Sequence, residues 1–337
     1  MKETPKNPSA FLSLLPLIVL VLMLVATVRA YGSDSLSGAS QVTLLVVSAF
    51  CVLIGMCFLK VPWKKFEEAI VFNITNVATT VIILLLIGAL SGAWMVSGVV
   101  PSLIYYGVQI IHPDVFLVSS CIISAMVSVM TGISWTTIAT IGIALMGIGR
   151  AQGFDDGWIA GAIISGAYFG DKISPLSDTT VLASGSVNVP LFQHIRYMVI
   201  TTLPSIVIAS VVFFVVGLMF EGSDTGEIAA FSQALSGRFN ITPWLLAVPV
   251  LTGIMIAKRW PPIITLFLST LLAVVFALVF QSDVLGEIAD GDLFKGAMQS
   301  VYGSTSISTD SQLLTDLVAT RGMAGMMGTI WLILCAM

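Results

Sequence analysis

Charge is what this sequence has least of. Of its 337 residues only 14 are Lys or Arg and 18 are Asp or Glu, 9% together, where a soluble domain carries about a quarter. No soluble core buries a chain that is 57% hydrophobic, so a water-soluble globular fold is excluded. There is no basic tail, and the net charge is −4, which removes nucleic acid as a partner. Histidine occurs only twice; His112 opens a His112-Pro113-Asp114 turn and reads as a loop residue, not a ligand. The four cysteines, Cys51, Cys57, Cys121 and Cys335, lie in apolar runs without metal-ligand spacing. They read as small buried hydrophobes with no disulfide. No small-residue cleavage site follows the first apolar run, which therefore reads as a retained helix rather than a signal peptide.

What is present is a series of apolar runs. Phe11 to Ala30, Gln41 to Leu59 and Val77 to Gly98 are each about 20 residues, enough to cross a bilayer core. A loop carrying Lys60, Lys64, Lys65, Glu67 and Glu68 separates the second from the third. Gly98-Val99-Val100-Pro101 interrupts the third, and a shorter run reaches Ile111. Val115 to Met130 breaks at Thr131-Gly132-Ile133-Ser134-Trp135-Thr136-Thr137 and resumes from Ile138 to Gly149. Trp158 to Phe169 is also short, and Val181 to Val187 resumes after it. Tyr197 to Met219, Pro243 to Ala257 and Pro262 to Phe280 are further spans. The fold class predicted is an all-α polytopic membrane protein with discontinuous helices.

Between two of these runs stands Tyr168-Phe169-Gly170-Asp171-Lys172-Ile173-Ser174-Pro175-Leu176-Ser177-Asp178-Thr179-Thr180. Two carboxylates and an ammonium at membrane depth are costly and mark a functional site by default. The plain alternative is a hydrated loop between ordinary helices. Pro175 keeps Ser174 out of helical geometry and fixes the break. At such breaks backbone carbonyls lose helical partners and can coordinate a cation. The Thr131 break has the same functional reading; its alternative is a kink packed by small residues.

The second half resembles a weak copy of the first. Leu12 and Pro16 match Leu245 and Pro249 at a constant offset, and Phe66-Glu67-Glu68-Ala69-Ile70 resembles Phe294-Lys295-Gly296-Ala297-Met298. Lys2 and Lys6 place the N-terminus inside, and Lys60, Lys64 and Lys65 fall inside after two spans. Lys258 and Arg259 mark an inside loop where the first half has an outside one. The copies therefore enter from opposite faces, an inverted-topology repeat typical of secondary transporters. Residues 1–220 form the first repeat, 221–240 a polar linker, and 241–337 an incomplete second repeat. The resulting location is the plasma membrane of a bacterium, multi-pass, with the N-terminus cytoplasmic.

Gly170 to Thr180 resembles the signature of the NhaC family of sodium/proton antiporters, which includes a malate/sodium-lactate branch. The Thr131 break is similar to that family's Thr-Gly-Thr-Ser-Trp-Gly-Thr pattern, with Ile133 and Thr136 as departures. Arg321-Gly322-Met323 and the Met-rich run after it are also family-like. The resemblance covers nearly the whole chain, and family members continue beyond Met337. It implies exchange of Na+ for H+ by alternating access, with these ions as cargo, no cofactor and no enzymatic activity. The ion- or substrate-binding candidates are Asp171, Asp178, Ser174, Ser177, Thr179, Thr180, Thr131, Ser134 and Thr137, with Asp178, Ser134 and Thr179 as sodium ligands. Lys172 is a charge partner for a carboxylate, or a side chain snorkelling to the interface. A carboxylate withdrawn from water gains affinity for protons, and a bound cation opposes this, so proton and sodium compete. Two alternatives stand beside this. One is a Na+- or H+-coupled antiporter of small organic anions or amino acids, against which the apolar segments offer no obvious arginine. The other is an intramembrane aspartyl protease, which needs facing aspartates from separate helices, whereas Asp171 and Asp178 share one segment. A homodimer is compatible with all of these.

Overall fold

The computed structural model describes residues 9–337 except 133, 176, 178, 181–182, 185–188, 221–224, 259, 308, 310–314 and 316–317; the side chains of 33, 36–37, 76, 130–131 and 225–231 are also outside the description. Among the described residues the protein is helical, with one isolated bridge between Thr305 and Thr320 in place of any sheet. It is a polytopic all-α membrane protein. Among the described residues five helical segments are long and apolar enough to span a bilayer: Ala10–Tyr31, Ala39–Cys57, Val77–Val96, Leu191–Met219 and Pro262–Phe280.

The chain forms two compact units. The first holds Met1–Leu85 and Gly325–Met337. Its helices are α1 (Ala10–Tyr31), α2 (Ala39–Cys57), the first part of α3 (Trp63–Val96) and α15 (Met327–Ala336). Helix α1 starts at Ser9, whose hydroxyl accepts from the Leu12 amide at 3.3 Å, and buries none of its residues. Between apolar helices in lipid, packing and hydrogen bonds decide association. Here Thr27 meets Thr43 at 2.8 Å, and the Gln41 side-chain amide donates to the Gly328 carbonyl at 3.2 Å. The charged run Lys64 to Glu68, predicted as a loop, lies inside α3. Nothing in Lys-Lys-Phe-Glu-Glu breaks a helix, since all but Phe66 are good helix formers.

The second unit, Leu86–Ala324, carries every candidate site residue. Helix α4 (Val99–Ile110) follows the left-handed Gly98, and α5 (Pro113–Thr131) starts with Pro113 in its first turn and ends at Gly132. The chain resumes as α6 (Ser134–Thr137), a π-helical turn (Ile138–Gly142) and α7 (Ile143–Ala151). Then come α8 (Asp156–Ile173), α9 (Leu191–Met219) and α10 (Thr225–Arg238). A 3-10 turn (Pro243–Leu246) leads into α11 (Ala247–Ala257), followed by α12 (Pro262–Phe280), α13 (Ser282–Ile288) and α14 (Leu293–Tyr302).

The core of this unit combines close helix approach with internal polar ties. The indole N–H of buried Trp94 donates to Ser269 at 3.0 Å, and Ser269 meets Thr252 at 2.7 Å. The Gln281 carboxamide donates to the Asn240 carbonyl and accepts from the Asn240 amide, both at 3.1 Å, like one rung of a sheet. Stacked rings of Phe116, Phe154 and Phe220 fasten the start of α5 to the turn before α8 and the end of α9, with centroids 5.4 and 3.9 Å apart.

Candidate functional site

Helices α5 and α8 build the site, and their direction matters most. A Cβ at Gly166 would strike the Cys121 carbonyl, and one at Gly170 would strike the Ala125 carbonyl and the backbone of Val129. Further along, the Ser174 hydroxyl donates to the Val129 carbonyl at 2.8 Å. The contacts advance together along both chains, so α5 and α8 run parallel. Glycines at positions 166 and 170 remove the side chains that would hold the two backbones apart. The Ser128 hydroxyl donates to the Ala167 carbonyl at 2.5 Å across the same seam.

Both helices also stop together. Gly132 (φ +71°) ends α5 in a left-handed conformation that a glycine adopts without penalty. Ser174 (φ −75°, ψ 129°) ends α8 in the extended geometry that Pro175 demands. Two helix C-termini therefore converge, each carrying about half a negative elementary charge. Asp171 lies in the last turn of α8, half-buried. The Ser134 hydroxyl, at the first position after the α5 break, donates to Asp171 Oδ2 at 2.9 Å. The two interrupted segments that the sequence separates by 37 positions thus meet at one carboxylate.

The remaining candidates surround this contact unevenly. Ser174, Ser177 and Thr180 are buried, while Thr179 is exposed. Ser177 and Thr179 hydroxyls pair at 2.8 Å. The Thr180 hydroxyl lies 3.3 and 3.2 Å from the Asp171 and Lys172 carbonyls, capping the end of α8. Thr137 is fully buried beside the break. Lys172 is exposed, and among the described residues it forms no ion pair with Asp171. Thr131 closes α5, but its side chain is outside the described residues, as is Asp178 altogether. Among the described residues no three His, Cys, Asp or Glu side chains gather as a metal cluster.

Sequence reasoning missed several features. Thr136 is buried and, among the described residues, its hydroxyl has no hydrogen-bond partner, as is true of Ser120 and Ser124 on α5. The π-helical turn just after Ser134 had no distinct sequence signal; such turns recur at functional sites. The small-residue spacing Gly166 to Gly170 could have announced the α5 contact. At the mouth of α8, Arg150 grips Asp156 through two 2.6 Å bonds, and this guanidinium holds the Asp156 carboxyl below its ordinary pKa.

The model of the Na+/H+ antiporter family matches residues 166–337. The malate-2H(+)/Na(+)-lactate antiporter of Bacillus subtilis is 39% identical over 293 residues, 86% of this chain and 60% of that protein. The Na(+)/H(+) antiporter NhaC of Alkalihalophilus pseudofirmus is 38% identical, covering 85% of this chain and 61% of its own length. The Na(+)/H(+) antiporter NhaC of Bacillus subtilis is 35% identical, with 82% and 59% covered. The chain spans about three fifths of the length of these curated relatives. No solved structure matches it. A family model covering half the chain, and relatives of such identity across most of it, carry one conclusion: the chain belongs to the Na+/H+ antiporter family.

Proposed function

We propose that this chain exchanges Na+ for H+ across the membrane, with the cation held where α5 and α8 end. The observation that carries the reading is the Ser134–Asp171 contact at 2.9 Å between two interrupted, parallel helices. Converging helix C-termini present negative dipole ends and carbonyl oxygens, which suit a hard cation. Asp171 supplies the charge, and Ser134 supplies a hydroxyl that now donates to it. With Na+ bound, that hydroxyl turns its lone pairs to the ion instead. A proton on the carboxylate replaces the ion's charge, so the two cargoes exclude one another. Exchange follows when the loaded site opens alternately to the two sides. Asp178 and Thr179 complete the ligand set in this proposal, at the plasma membrane with the N-terminus inside.

A second reading, exchange of a small organic anion coupled to these ions, is favoured by the relative named as a malate-2H(+)/Na(+)-lactate antiporter. Flux in proteoliposomes tests both. An inward Na+ gradient should make the lumen more alkaline without any organic solute. A pH change that appears only with malate or lactate present replaces the first reading with the second. No pH response under either condition overturns both.

A further inference from the structure

We propose that Arg321 anchors the carboxylate of a short organic anion in a cavity of about 370 Å3 within the second unit. The inference rests on the antiporter reading above and names a second site beside the cation site. The cavity walls are mainly apolar, with Met95, Val100, Ile143 and Met146 among them, and Ser91, Thr320 and Arg321 supply polar groups. Arg150 also reaches it, but its charge is matched by the two-pronged pair with Asp156. No described carboxylate pairs with Arg321. Arg321 is exposed at the mouth of this cavity, so a guanidinium with no described acidic partner stands open to an arriving anion.

The backbone that presents Arg321 is fixed. Thr320 and Thr305 exchange both backbone hydrogen bonds, at 2.9 and 3.0 Å, and their hydroxyls meet at 2.8 Å. Gly322 (φ +51°) then turns the chain against the Val301 carbonyl. Arg321 also lines a second, more polar cavity of about 480 Å3 with Gln299, Ser304, Ser306 and Glu287, whose carboxylate is met by Arg238; this gives a hydrated ligand a place to arrive. A guanidinium fork matches a carboxylate with two parallel bonds, and the apolar wall suits a short hydrocarbon body that inorganic phosphate lacks.

The cavity also shares its walls with the cation site. Ile138 and Gly142 belong to the π-helical turn just after Ser134, and Ile163 and Ile164 to α8, which carries Asp171. Ile164 precedes Asp171 by two helical turns, about 10 Å along the axis. Helix α8 thus belongs both to this cavity and to the cation site, and a shift of it would act on both and give the coupling a physical carrier.

The test is binding to the purified chain, by calorimetry and thermal shift, of L-lactate, L-malate and inorganic phosphate, with and without Na+. Lactate or malate should bind saturably and more tightly than phosphate. Arg321→Lys should weaken that binding roughly tenfold or more, because one point charge replaces a fork, and Arg321→Gln should abolish it. Ala160→Phe, which fills the cavity and leaves the charge, should also abolish it while the Na+ response persists. Wild-type binding in Arg321→Gln or Ala160→Phe overturns the proposal, as does phosphate binding as tightly as the carboxylates. Absence of carboxylate binding in a protein that responds to Na+ overturns it too, and leaves the cation reading standing. Carboxylate binding that depends on Arg321 in a protein indifferent to Na+ upholds it and defeats the cation reading instead.

Discussion

Two places in the second unit use one packing device for opposite charges. At the first, Gly166 and Gly170 bring α8 onto the α5 backbone, and the junction ends in an acidic group, Asp171. At the second, Gly88 and Gly92 of α3 bring that helix onto the backbone of Gly322 and Ser300, and the junction presents a basic group, Arg321. In both, glycines four apart remove the side-chain layer between backbones, and a charged residue stands at the junction, Asp171 in the last turn of α8 and Arg321 beside the turn at Gly322. The difference is in how the charge is met. Asp171 already holds the Ser134 hydroxyl, whereas Arg321 has no described acidic partner. Close packing fixes where a charged group stands; its hydrogen-bonding neighbours decide what it waits for.

The packing half of this comparison should give the largest effects. Gly170→Val and Gly92→Val each drive a side chain into backbone carbonyls that cannot retreat, costing about 3 kcal/mol or more. Both should lose monodisperse protein in size-exclusion profiles, while Gly237→Ala, whose Cβ meets nothing, should not. Tolerance at one position and failure at the other would separate the two junctions.

The charge half is addressed by Asp171→Asn and Ser134→Ala. The first keeps shape and removes charge, and should weaken the Na+ response at least roughly tenfold while sparing any carboxylate binding at Arg321. The second removes one hydrogen bond of about 1 kcal/mol and should weaken Na+ roughly two- to tenfold. Titration of Na+-dependent thermal shift reads both. An unchanged Na+ response in Asp171→Asn would make the first junction a packing feature only.

The smallest effect concerns the exposed Arg150–Asp156 pair. Because Arg150 lowers the Asp156 pKa from its ordinary 3.8, the pair stabilises at neutral pH and is lost as pH falls through that depressed value. Asp156→Asn should therefore cost less than ~1 kcal/mol near pH 7. The deficit in melting temperature should begin to shrink as pH falls below 3.8 and vanish only below the depressed value. A deficit that persists in acid would assign Asp156 a role other than this pair.

Much of the frame was legible because bilayer thickness imposes it. The runs later seen as α1, α2 and α12 were read within a residue or two, since each is a single apolar stretch with breakers or charge at its ends. The two breaks were legible for local reasons, Gly132 adopting positive φ and Pro175 forcing Ser174 extended. The meeting of Ser134 with Asp171 was not, because two breaks in sequence do not say which helices run side by side or in which direction. Burial hid Thr136 and Ser124 in the same way: a hydroxyl in an apolar run looks alike whether it faces a partner or none. Arg321, named from the sequence only as family-like, lay outside the search for an arginine within the apolar segments because it sits beside a bridge and a turn, outside them. The inverted repeat rests on charge placement and weak matches, and labelling of Lys64 and Lys258 from the two sides bears on it directly.

The parallel pairing of α5 and α8 also sets an order of events during biosynthesis. Two parallel neighbours cannot be joined by a tight hairpin, so α6, the π turn and α7 must be made between them. At ribosomal speeds that stretch and α8 together occupy some seconds. Throughout this interval α5 exists without the helix that covers its carbonyls at Cys121 and Ala125 and receives the Ser128 hydroxyl. The nascent chain must therefore shelter a hydroxyl-bearing helix in the insertion machinery until Gly166 and Gly170 arrive to close over it.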